Sequence, residues 1–285
     1  MKKLVTSIVA AAAVVAFAST ARAGELLDLQ HVGASGDLVG TIGGTALFEQ
    51  GTTGSGTGIF PAFVQIAGND AVHDAYNTTE NNTLDNGASD QFNHAILLSD
   101  VSIVTRSGVT YYMFILDLNE SNNSSDRYLS LDALAVVTST TPNQTDEVEP
   151  FNPATLADGG FVRWQMNSAD NILLDFNLEP GSGYGDMRFL VPTSLFTVGD
   201  LSKYVYLYSS FGELGTSCTN TGNTVPGGAA AVGCIAGANY GASDGFEEWA
   251  YNLEPGTVLV PDGGSTLGLL GLAMLGVGYL RRRLL

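Results

Sequence analysis

Alternation is the dominant pattern of this chain. Tyr204-Val205-Tyr206-Leu207-Tyr208 places three tyrosines on one side of an extended backbone and Val205 with Leu207 on the other. Val109–Leu118, Tyr128–Val137 and Ile172–Leu178 are likewise short and rich in β-branched, aromatic or leucine residues, as are Ala95–Val104 and Phe60–Ile66. Clusters of Gly, Asn, Asp and Ser separate these runs, as they do at strand ends. No stretch between the two termini keeps an apolar period of 3.6, and 35 glycines argue against long helices. The pattern predicts an all-β chain, a single antiparallel β-sandwich or jelly-roll-like domain. Thr138–Asn152, with its Thr, Pro, Asn and acidic residues, reads as an exposed loop.

Two apolar runs break the alternation, one at each end. Lys2 and Lys3 precede Leu4–Ala18, and Ala21-Arg22-Ala23 supplies a small-x-small cleavage site, so residues 1–23 read as a secretory signal peptide. At the other end Val260-Pro261-Asp262-Gly263-Gly264 leads into an apolar run, Leu267–Leu280, and then Arg281-Arg282-Arg283. That run holds 14 residues, whereas crossing a bilayer takes about 20. The arginines favour the cytoplasmic side and leave the body outside. An ordinary C-terminal membrane helix is the competing reading. The tail resembles the PEP-CTERM signal in its Val-Pro-Asp form, which implies removal by an exosortase-type membrane protease. The resulting division is 1–23 signal peptide, 24–259 β-sandwich and 260–285 sorting signal with a short hydrophobic helix.

Charge becomes more lopsided once these ends are set aside. Residues 24–261 keep Arg106, Arg127, Arg163, Arg188 and Lys203 against 28 acids, and 5 − 28 gives −23. Such a surface repels nucleic acid and suits an exported protein or one that collects cations. Two cysteines occur, Cys218 and Cys234, and in an exported chain an even pair predicts one disulfide. It would close a Gly-, Asn-, Thr- and Ala-rich loop that cannot pack itself. A metal-binding thiol pair is the rival, but no histidine lies nearby in the sequence and the spacing fits no zinc pattern.

The body carries a second resemblance. Ala75-Tyr76-Asn77-Thr78, His94 to Asp100, Phe114 to Glu120 and Leu129 to Asp132 are similar to one group of exosortase-substrate proteins. So are Gly181 to Met187, Pro192 to Phe196, Tyr204 to Ser209 and Asp244 to Ala250. The likeness spans about residues 60–252 and implies localisation and domain extent, with no assigned activity. The Cys218–Cys234 insert and the first 35 residues after the signal peptide fall outside it.

Candidate chemistry is sparse. Gly241-Ala242-Ser243-Asp244-Gly245 fits the Gly-x-Ser-x-Gly pattern, but a nucleophile elbow needs a helix after the serine and strand-like Phe246 to Trp249 follows. His31, His73 and His94 are the only histidines and have no zinc-helix spacing. Paired carboxylates for glycoside hydrolysis remain open with so many acids, although Glu247 and Glu248 point to opposite faces of any strand. The best constellation is Asp117, Asn119, Glu120, Asp126 and Asp132, hard oxygen donors around the Ser121–Ser125 turn, as calcium requires. Asp and Asn that merely end strands and form Asx turns would account for the same residues. Gly181 to Asp186 reads as a tight turn before a strand at Met187 to Val191, with Asp186 capping it or joining a cation site.

The expected function is structural or adhesive and not catalytic, in the extracellular matrix or on the cell surface. Calcium is the expected cofactor. Exosortase, signal peptidase and extracellular polysaccharide are the expected partners, with transient anchoring in the inner membrane. The alternative is a carbohydrate-active hydrolase using paired carboxylates.

Overall fold

The structure, a computed structural model, describes residues 24–30, 38–51, 61–68, 70–80, 83–86, 91–145, 152–158, 160–178, 185–218, 223–224, 233–243 and 245–251. The expected signal peptide with Ala21 and Ala23 lies outside them, as does the whole tail with Val260 to Gly264 and Arg281 to Arg283. His31, Asp244 and the glycine turn at 181–184 also lie outside.

Among the described residues fifteen strands form, in chain order β1 (Leu26–Asp28), β2 (Val39–Ile42), β3 (Ala46–Gln50), β4 (Ala62–Ile66), β5 (His73–Tyr76), β6 (Ile96–Leu97), β7 (Ile103–Arg106) and β8 (Val109–Asp117). They continue with β9 (Tyr128–Ser139), β10 (Phe161–Gln165), β11 (Asn171–Asp175), β12 (Met187–Pro192), β13 (Tyr204–Phe211), β14 (Asn223–Thr224) and β15 (Glu247–Ala250). No α-helix occurs among the described residues. One sheet runs β14-β1-β11-β9-β13-β5, with β10 also on β9 and β6 on β13. The other runs β2-β3-β12-β8-β15-β4, with β7 also on β8.

Side-chain alternation makes these two sheets a sandwich. Phe114 and Leu116 of β8, Phe189 of β12 and Trp249 of β15 share one buried cluster with Leu131 of β9 and Val205 and Leu207 of β13. That cluster lies between the sheets, and Trp249 Nε1 crosses it to donate to Ser209 Oγ at 3.0 Å. The intervening residues face outward without being wet. Tyr204, Tyr206 and Tyr208 pack with Tyr76 and Leu156 on the outside of the larger sheet. Tyr206 donates from its hydroxyl to the Thr141 carbonyl at 2.8 Å, which ties the following loop down over that face.

Several sequence expectations change in detail. The pairing is antiparallel except at one edge, where β1 lies parallel to both β11 and β14. Ile172–Leu178 is strand only to Asp175, whose carboxylate accepts the Asn177 N–H at 2.9 Å and starts a short 3-10 turn. Ala95–Val104 is interrupted at Leu98–Asp100, because β6 belongs to one sheet and β7 to the other. The reading of Thr138–Asn152 as loop also begins too early in the chain, since Thr138 and Ser139 complete β9 and are buried.

The insert between the cysteines does more than the sequence suggests. Asn223 and Thr224 form β14 and extend the larger sheet beyond β1. Cys218 and Cys234 are joined as a disulfide with a Cα–Cα distance of 5.8 Å. The bridge packs beside Leu26, Tyr128, Leu173 and Tyr240, a satellite cluster under the insert.

Candidate functional site

The chain passes from one sheet to the other through residues 118–127, and the five predicted calcium donors lie on or beside this crossing. Asp117 ends β8 directly opposite Glu248 of β15, and both are buried. By alternation they face outward, away from Leu116 and Trp249. Gln65 Nε2 donates to Glu248 Oε1 at 2.6 Å, and burial pushes the Glu248 carboxyl up to about 7. Asn119 uses its amide on the Phe246 carbonyl at 3.0 Å.

Glu120 turns inward. Its Oε2 accepts from the Ser243 N–H at 3.1 Å and from the Ser243 hydroxyl at 2.6 Å. That hydroxyl also lies 3.1 Å from the Asp126 carbonyl. The Asp126 carboxylate itself is taken up locally by Asn123 at 2.8 Å and by Asn239 at 3.3 Å, contacts that lower its pKa. Asn123 Oδ1 accepts the N–H groups of Ser125 and Asp126, which makes the turn an Asx turn. Asp132 belongs to the other sheet, where its Oδ2 accepts from Ser130 at 2.8 Å and from the Glu213 N–H at 2.7 Å. Burial raises its pKa to about 7.

The predicted donors therefore divide three ways. Asp117 faces outward beside Glu248, Glu120 faces inward beside Ser243, and Asp132 sits on the opposite sheet. Among the described residues no group of three or more His, Cys, Asp or Glu is placed to hold a metal ion. Calcium needs six to eight oxygens around one point, and these five residues do not converge on one. The donor set does not fit the ion.

What the fold assembles instead is an interior row of ionisable groups. His73 of β5 lies with its Nδ1 3.5 Å from Glu247 Oε2, so the two sheets meet here through a polar contact. Glu247 in turn lies beside Glu120, and burial first, then this neighbour's charge, holds the Glu120 carboxyl well above the usual range. Glu120 Oε1 and Glu247 Oε1 are both buried, and neither receives an N–H or hydroxyl donor. The Glu247 hydrogen bond likewise raises the pKa of His73. The row runs His73–Glu247–Glu120–Ser243, and its two acids do not open to a cleft: Glu120 is 5 % exposed and Glu247 0 %. A signal for Glu247 was present, since it shares the inward face of β15 with Trp249. Nothing local marked His73 as its partner.

The Gly-x-Ser-x-Gly match receives a backbone explanation. Gly245 has φ +72°, and a Cβ there would lie 2.1 Å from the Asn119 carbonyl oxygen. The glycine lets this loop press against the crossing and deliver Ser243 to Glu120. β15 begins at Glu247, so no helix follows the serine and no nucleophile elbow forms. Asp186 Oδ2 accepts the Leu118 N–H at 2.7 Å, which ties the chain before β12 to the end of β8; the glycine turn that it was expected to cap lies outside the described residues.

No helix among the described residues is long and apolar enough to cross a membrane. Residues 260–284 match the VPDSG-CTERM motif model. The tail is a C-terminal sorting signal. It is a PEP-CTERM-like variant, with Gly263 where the motif's name has serine, and it marks the chain for export, passage through the membrane and processing by an exosortase-type protease. No curated protein and no solved structure matches the chain.

Proposed function

We propose that the matured chain is a structural or adhesive protein of the cell surface or extracellular matrix, in contact with polysaccharide. The VPDSG-CTERM signal at residues 260–284 carries this reading, because it directs the body outward and removes its anchor. The body suits the role: a two-sheet sandwich with a stapled insert and a net charge of −23 over residues 24–261, from 5 − 28. Calcium is left out of the proposal, since the donors around the crossing do not converge. The hydrolase alternative gains no support from Glu120 and Glu247, a pair too deeply enclosed to reach a glycosidic oxygen.

Mass spectrometry of protein from the extracellular and surface fractions tests the sorting half. The mature form should begin near Gly24 and lack Arg281 to Leu285, and replacing Pro261 and Asp262 with alanine should strand the precursor in the inner membrane. An intact C-terminus in the extracellular fraction would refute it. Co-sedimentation of mature protein with the cells' own extracellular polysaccharide tests the contact, and absence of retention would remove that part alone.

A further inference from the structure

The expected cleavage point lies just before β1, and the chain is already packed there. Glu25 is bonded on both sides of its backbone: its N–H donates to Asp170 Oδ1 at 2.8 Å, and its carbonyl accepts the Asn171 N–H at 2.8 Å. Gly24 is pressed against the turn that precedes β11. A Cβ there would lie 1.9 Å from the Ala169 carbonyl oxygen, so the Gly24 Cα is within about 3.4 Å of that oxygen. No side chain fits at this position, which confines residue 24 to glycine.

Asp170 is an acid held by neutral dipoles alone. It is 1 % exposed, and its carboxylate accepts the Glu25 N–H, the Asn167 N–H at 3.2 Å and the Asn167 side-chain amide at 2.9 Å. The five basic residues of the body are engaged elsewhere: Arg106 and Arg188 with Glu49, Arg127 with Asp175, Arg163 and Lys203 with Asp200. A buried carboxylate favours a cation beside it. Removal of residues 1–23 creates one. Hydrolysis of the Ala23–Gly24 bond consumes one water and leaves a carboxylate on Ala23 and an ammonium group on Gly24. Successive backbone nitrogens are at most about 3.6 Å apart, so that ammonium lies no more than about 6.4 Å from Asp170 Oδ1 and within bonding reach of the Ala169 carbonyl. Of the two acids here Glu25 is half-buried, with its Oε2 on the Gly43 N–H at 3.1 Å, and Asp170 is the one cut off from solvent. A cavity of about 180 Å³, lined by Gly24 on one side and by Ser217 and Cys218 on the other, gives room to hydrate the remaining N–H.

We propose that the α-ammonium group of Gly24 is an internal ligand of the mature fold, seated against Asp170 and the Ala169 carbonyl, so that removal of the signal peptide locks β1 onto β11. The proposal rests on the reading of residues 1–23 as a signal peptide, which N-terminal sequencing of exported protein tests separately: a start other than Gly24 sinks that reading and the capture with it. The capture alone is tested on two disulfide-bonded forms of the mature protein, one beginning at Gly24 and one at Ala23. A limiting amount of acetic anhydride, followed by mass spectrometry, reads the α-amino group against Lys203, the one other amine of residues 24–261. An ammonium paired with a carboxylate gives up its proton, and so frees its lone pair, less readily. Relative to Lys203, the Gly24 amine should therefore react about tenfold more slowly than the Ala23 amine. Asp170→Asn should bring the two forms within about twofold. Retaining Ala23 should lower Tm by about 2–4 °C in the parent and by less than about 1 °C with Asp170→Asn, where the partner is already gone. Should Asp170→Asn not fold, the labelling and melting of the two parent forms decide the matter. Equal labelling of those forms, or an equal fall in Tm with and without the Asp170 carboxylate, would overturn the proposal.

Discussion

Gly245 shows how one residue sets the position of several others. Its positive φ alone would cost an L-residue about 1–2 kcal/mol, and the Asn119 carbonyl adds a clash that neither loop can relieve without moving Ser243. Gly108 offers a built-in comparison, since it has φ +82° and a Cβ added to it would meet nothing within 4 Å. Gly108→Ala should therefore register backbone strain only. Gly245→Ala should lower stability by roughly 2 kcal/mol or more, a fall in Tm of about 4–8 °C for a chain of this size. Thermal melts of the two variants check this, and equal falls would mean that the approach to Asn119 contributes nothing.

At the scale of elements, the parallel edge rests on short strands. β14 has two residues and, among the described residues, pairs only with β1, which has three. So short an edge is held by what is attached to it: the disulfide, 16 residues apart in sequence, and the cluster of Leu26, Tyr128 and Tyr240 beneath. A closure of that length is worth about 3 kcal/mol in the chain-entropy account. Reduction should accelerate amide exchange in β14, β1 and residues 233–240 first. β8, β12 and β13, which form the centres of the two sheets, should stay protected. Uniform acceleration across both sheets would show that the bridge supports the whole sandwich and not its edge.

For the molecule as a whole, several buried acids push the pH dependence in one direction. Glu120, Asp132 and Glu248 all have carboxyl pKa values raised by burial, the last two to about 7. An acid with a raised folded pKa binds its proton more tightly when folded, so it stabilises fully below its unfolded value and loses that contribution as pH rises through the folded value. His73, raised by Glu247, has the same sign: its contribution is complete below about 6.5 and fades as pH rises through its folded value. Asp200 opposes them: burial pushes its carboxyl up, but Thr197, Lys203 and Arg163 outweigh that and bring it to about 2. Its contribution is present above about 3.8 and lost only as pH falls towards 2, so it does not act in the neutral range. Stability should therefore peak at about pH 4–5 and decline steadily to about pH 8. Glu120→Gln, which keeps an acceptor for Ser243 and removes the titrating carboxyl, should flatten that decline. A Tm profile that is level across this range in the parent protein would contradict the burial of these groups.

The sequence by itself determined the strands with strong alternation. Val109 to Leu118 and Met187 to Val191 became β8 and β12 with nearly the expected limits, and Tyr204 to Tyr208 became the start of β13, which runs on to Phe211, because a period of two on a half-buried backbone admits little else. It also determined the C-terminal targeting signal, a linear motif that is read by another protein and needs no fold. It paired Cys218 with Cys234 by count. Tertiary structure decided what lies beside each strand, because alternation tells which residues share a face and is silent about the neighbour across it. The parallel placement of β1 depended on segments far apart in the chain, and so did the contact between His73 and Glu247, 174 residues apart. The acidic residues divide on the same principle. Asp117, Asn119 and Glu120 are close in sequence and promised one cation site, yet one side chain faces out, one bonds a neighbouring loop and one turns inward. Their proximity along the chain gave composition. Only the packing of the two sheets assigned each carboxylate its solvent, its partner and therefore its charge.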